Sequence, residues 1–184
     1  EMQRSLVGSE MCIRDRFRTA DEIIIDEVAY SSKWHAHSVK NKKGVALERI
    51  DPDAATQDAA NWTSASETVG YGTPGYQNSQ YKDASSGDAT GIEPPVWIEE
   101  SGSYTVSYLL DRPGYSCRAF VFNTSGLRVA DISNHELLGI SGKITWSGVA
   151  NNGSPLQTGV YIFYAEIYHP EGTVKRFKKA FLIR

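Results

Sequence analysis

Tyr104, Val106, Tyr108 and Leu110 recur at every second position, a spacing that puts all four on one face of a β-strand and scatters them around a helix. The same period returns over residues 115–122, 127–130, 143–146, 159–168 and 173–184. Turn residues punctuate these runs: Pro113 and Gly114, Asn123 through Gly126, Ser147 and Gly148, Asn151 through Gly153, and Pro170 through Gly172. Short alternating strands at this spacing predict a β-sandwich over residues 96–184. Its expected core comprises Val106, Tyr108, Ala119, Val121, Trp146, Val160, Ile162 and Tyr164.

The first half is also β-patterned, and no helix-period stretch of useful length occurs. Ile23 to Ile25 followed by Val28 and Tyr30 reads as a strand, and residues 44–50 alternate. Asp51, Pro52 and Asp53 end that second run with turn chemistry, and residues 72–76 form another strong turn. Between the halves, residues 82–91 are small and polar and Glu93, Pro94 and Pro95 stiffen the exit. The expected organisation is an all-β chain with a first module over 17–81, a linker over 82–95 and a complete sandwich over 96–184.

Residues 5–16 resemble a translated sequencing adapter: the run from Leu6 to Asp15 matches one frame of a transposon-end oligonucleotide. Residues 1–16 are therefore expected to be disordered and foreign to the fold. They lack the apolar core of a secretory signal. Setting them aside removes Met2, Met11 and Cys12, so Cys117 stands alone, while the net charge of −3 is unchanged. A remainder without Met reads as the C-terminal fragment of something longer.

The mildly acidic balance argues against nucleic-acid and membrane-surface binding, and no apolar run approaches the length of a membrane span. No nucleophile elbow, phosphate-binding glycine loop or zinc-protease helix motif occurs, so neither an enzyme nor a cofactor is expected. Glu99 and Glu100 are adjacent and would point to opposite faces of a strand. His35 and His37 would share a strand face at a spacing that can bind a transition metal, but no third ligand follows from sequence. They are read as surface polar residues, and His135 and His169 as exposed loop residues. Asp51, Asp53 and Asp58 lack the ligand run and glycine of a calcium loop and read as a solvated turn. Cys117, inside an apolar strand, reads as a buried thiol.

The segment 174–184 carries Lys175, Arg176, Lys178, Lys179 and Arg184 and no acid. Two compatible readings apply: edge-strand lysines that block edge-to-edge pairing, and a positive tail that a secretion receptor recognises.

Two resemblances follow from these residues. Trp146, Ser147 and Gly148, then Asn151, Asn152 and Gly153, then Gly159, Val160 and Tyr161 resemble the FlgD-like Ig-like domain, with Ser147 where that family carries Asp. Such domains close many secreted Bacteroidetes proteins and act as type IX secretion sorting domains. The resemblance implies a secreted or cell-surface protein that passes through the periplasm, with secretion machinery as partner of the basic tail. Residues 44–50, Asn61 and Trp62, and residues 72–78 resemble the closing segment of bacterial lamin-tail domains, which are Ig-like sandwiches of secreted proteins. The alternative is an adhesion module for a glycan or protein ligand, with Trp62, Tyr71 and Tyr76 as contacts.

Overall fold

The computed structural model describes residues 13–82 and 89–184, and among them the only helical elements are three single 3-10 turns. The chain is all-β. Its second part is a sandwich of two antiparallel sheets. The first sheet contains β5 (Gly91–Ile92), β6 (Val96–Ile98), β7 (Ser103–Leu109) and β10 (Ser141–Trp146), with β7 central. The second runs β12 (Val174–Ile183), β11 (Gly159–Tyr168), β8 (Ser116–Asn123), β9 (Arg128–Leu137).

Large side chains on one sheet meet small ones on the other. Tyr104, Val106, Tyr108, Ile144 and Trp146 pack against Cys117, Ala119, Val121 and Ala165, with Phe163, Ile167, Phe181 and Ile183 filling the flanks. Of the expected core, Val106, Tyr108, Ala119, Val121 and Trp146 are buried. Val160, Ile162 and Tyr164 are not: β11 buries Phe163, Ala165 and Ile167 and turns the expected trio outward. Both faces of β11 are apolar, so the sequence offered no polar row to mark the outside, and a one-residue phase change moves every side chain across the sheet.

β9 extends well beyond the predicted residues 127–130. Three register irregularities along β8 break its alternation and hide the strand from a period-two reading. The expected linker also needs correction. Residues 83–88 lie outside the described residues, but Gly91–Ile92 pairs with β7 and Ile92 is buried in the core. An isolated Ile between polar residues carried no visible period.

The first part contains two small ladders: β1 (Ile13–Arg18) with β2 (Ile24–Tyr30), and β3 (Leu47–Arg49) with β4 (Trp62–Ser64). Residues 13–16, expected to be disordered, are instead four of the six residues of β1; residues 1–12 lie outside the described residues. Alternation in β1 sets Arg14 and Arg16 toward Glu27, and both form ion pairs with it; β1 is exposed throughout, while β2 is half-buried from Asp26 to Tyr30.

Few apolar side chains of this part are buried, Val39 and Ala65 among them. Polar groups organise it. Glu48 is 3% exposed and accepts from Thr73 Oγ1 at 2.6 Å, Ser79 Oγ at 2.7 Å and the Gln80 amide at 3.1 Å. From there the segment docks on the β9–β10 corner of the sandwich. Ser66 Oγ donates to the Leu137 carbonyl at 2.9 Å and Gln80 Nε2 to the Leu138 carbonyl at 3.1 Å. The Ile140 amide donates to the Ser79 carbonyl at 2.9 Å. Gly139 permits the approach, since a Cβ there would stand 2.4 Å from the Ser79 carbonyl oxygen. Two expected modules meet along a buried polar seam.

Candidate functional site

β12 is an edge strand with β11 as its neighbour, and its alternation divides the basic tail between two faces. Lys175 and Lys179 lie in the inward row with Phe177, Phe181 and Ile183. Arg176 and Lys178 lie in the outward row with Ala180 and Leu182. The five bases are therefore not one patch.

Two of them are engaged. Lys175 Nζ lies 2.9 Å from Asp111 Oδ1 and 2.7 Å from Thr90 Oγ1, and Thr90 donates to the same carboxylate oxygen at 2.5 Å. Burial alone would raise the Asp111 pKa, but the hydrogen bonds from Thr90 and Lys175 outweigh it and hold it well below the usual carboxylate range. The same hydrogen bond raises Lys175. This cluster ties the entry to β5, the end of β7 and the start of β12 together. Arg176 Nε pairs with Glu166 at 2.8 Å across the β11–β12 ladder. Lys178, Lys179 and Arg184 form no ion pair among the described residues and are the available bases of the tail.

Beside the last residues of β12 opens a groove of about 640 Å³, lined by Val96, Trp97, Tyr104, Leu182, Ile183 and Arg184 among others. Trp97 is 45% exposed and packs edge-on against Tyr104 at 5.0 Å, which in turn meets Phe181 at 5.7 Å and Trp146 at 5.5 Å. An aromatic chain thus runs from the core to the groove wall. The turn at Trp146, Ser147 and Gly148 is fixed locally, because Trp146 Nε1 donates to the Val149 carbonyl at 3.0 Å.

The outward face of the second sheet carries the aromatic residues Phe120, Phe122 and Tyr164. Phe120 and Tyr164 stack at 6.5 Å, and Arg118 and Arg128 both lie over the Phe120 ring.

The other expected candidates separate. His35 and His37 both line a cleft with Trp34, Trp62 and His169, but no cluster able to hold a metal exists among the described residues. His35 Nδ1 bonds Ser64 Oγ at 2.9 Å, and burial, with the Lys42 charge, lowers its pKa. His169 is a correction: its side chain is 13% exposed, with Nε2 3.2 Å from the Pro113 carbonyl and the ring edge-on to Tyr115. A position next to a turn did not keep it in solvent, because the 112–114 turn folds over it. His135 is exposed as expected but lies within β9, at a positive φ of 65°, bonded to the Tyr168 hydroxyl.

Trp62 pairs with Trp34, the Tyr71 amide donates to the Ser66 carbonyl at 2.9 Å, and Tyr76 is 83% exposed. Cys117 is fully buried and free, and burial pushes its thiol up to about 12. Sequence reasoning missed Glu48, Gln80 and Asp111, whose side-chain partners lie far off in the chain: Glu48 and Asp111 accept from distant donors, and Gln80 Nε2 donates to the Ser64 and Leu138 carbonyls while its Oε1 is buried without a partner among the described residues.

Fold and site together define a β-sandwich with a docked polar segment and a basic edge strand. No protein-family model and no curated protein matches the sequence. Among solved structures, PorZ, an essential bacterial surface component of the type IX secretion system of Porphyromonas gingivalis, is similar over 50% of this chain and 11% of its own length. That match has 18% identity and a TM-score of 0.30.

Proposed function

We propose that the chain is a non-catalytic C-terminal region of a secreted or cell-surface bacterial protein, its sandwich acting as a sorting or capping module for type IX-type secretion. The observation that carries this reading is the resemblance of the 146–161 motif to FlgD-like sorting domains. The placement of that motif supports it. The Trp146 turn and the Asn151 to Gly153 hairpin lead into Gly159, which opens β11, and β11 delivers the chain to the basic edge strand β12. Lys178 and Arg184, exposed and without ion pairs among the described residues, are the charges a receptor would meet.

A reporter fused ahead of the 184-residue chain in a type IX-competent host tests it. Export to the cell surface or medium is expected. Periplasmic retention, with an authentic sorting domain exported in parallel, overturns the proposal.

A further inference from the structure

We infer that the free edge of β12 is a docking site for an extended acidic peptide that adds as a strand, with one apolar side chain seated in the Trp97 groove. The inference deepens the sorting proposal by naming the chemistry of what β12 meets.

β12 is ten residues long and has a sheet neighbour on one side among the described residues. About half of its backbone N–H and C=O groups therefore point away from β11, the template that strand addition uses. The clamp of Lys175 on Asp111 and Thr90 fixes one end of the strand. The other end forms the wall of the 640 Å³ groove through Leu182, Ile183 and Arg184.

Between these ends stand Lys178 and Lys179. Lys179 is half-buried in the inward row, directly across from the buried Phe163, and no carboxylate neutralises it among the described residues. A lysine with a half-buried side chain and no carboxylate partner beside an open edge disfavours an apolar strand and favours one that brings a carboxylate.

A second copy of the chain is a poor occupant. Antiparallel pairing of two β12 strands about their centre sets Lys178 opposite Lys178 or Lys179 opposite Lys179, and like charges directly opposed are destabilising. An incoming strand with acids at two consecutive positions meets Lys179 on the inward face and Lys178 on the outward one. Three or four residues further along, its side chain reaches Leu182 and the groove, where the exposed Trp97 offers an apolar wall. Main-chain hydrogen bonds would supply affinity, and the acids and the anchor would supply register.

The test uses the full 184-residue chain and a fluorescein-labelled decapeptide of Val and Thr that carries two adjacent Glu residues and a Leu four positions from them, followed by anisotropy at low salt. Saturable binding is expected, with slowed amide exchange confined to residues 177–183 and the groove. The double variant Lys178→Glu, Lys179→Glu should bind about tenfold more weakly. Trp97→Ala, at an exposed position, should weaken binding without unfolding the chain. A peptide of the same charge with Pro at alternate positions lacks the donors and should not bind.

No binding, equal binding to the charge-reversed variant, equal binding of the Pro peptide, or protection elsewhere each overturns the inference. Export and peptide binding fail separately. Export without peptide binding removes the docking site and leaves the sorting proposal. Peptide binding without export does the reverse.

Discussion

Glu48 shows how far a single buried acceptor can organise an apolar-poor segment. It gathers Thr73, Ser79 and the Gln80 amide around one carboxylate that is almost fully enclosed. Glu48→Ala leaves those donors without an acceptor and should cost about 3 kcal/mol in urea unfolding. Glu136, on β9 beside the seam, has the opposite character. Burial raises its pKa, and the charge of Glu67 adds to the rise. A carboxyl whose folded pKa lies above its unfolded value favours folding below about pH 4.3, and that advantage is lost as pH rises through the folded pKa. Glu136→Gln should therefore raise the melting temperature at pH 7 and leave it unchanged at pH 4. Cys117 should resist thiol reagents in the native state, with labelling that follows unfolding. Rapid labelling of the folded chain would contradict its burial.

Among the elements, β11 carries the clearest lesson. Its length and bounds were legible, because seven of its ten residues are β-branched or aromatic and follow turn residues. Its inward face was not. With Val160, Ile162 and Tyr164 as apolar as Tyr161, Phe163 and Ile167, only the partner sheet decides which row is inside. Phe163→Ala should cost about 3–5 kcal/mol, and Val160→Ala, at 53% exposure, less than about 1 kcal/mol. Equal losses would place the face wrongly. β7 shows the contrary case. Its Ser103 and Ser107 mark one side as polar, so Tyr104, Val106, Tyr108 and Leu110 could be assigned inward from sequence, and all four are buried. The basic tail sits between these cases. Its strand was legible, but which of its lysines are engaged depended on Asp111 and Thr90, far away in sequence.

At the scale of the whole molecule, the polar seam makes the docked segment and the sandwich dependent on each other. Ser64, Ser66 and Gln80 are fully buried, as is Leu138 opposite them. Gly139→Ala would force the Ser79 carbonyl away from β9 and should destabilise the chain by about 1–3 kcal/mol. The loss should appear as one cooperative transition by both circular dichroism and tryptophan fluorescence, since Trp34 and Trp62 belong to one part and Trp146 to the other. Two separated transitions would show that the seam does not couple them.

The alternating period and the turn residues by themselves determined that this chain is all-β, where most sandwich strands run, and that Cys117 is enclosed, because strand formation and burial of small apolar residues are local preferences. Tertiary structure alone decided which face of β11 is inside, that Ile92 belongs to the core, that Glu48 and Gln80 are buried, and which bases of β12 remain available. Each of those outcomes depends on a partner supplied by a distant part of the chain, and no local pattern of residues encodes the identity of that partner.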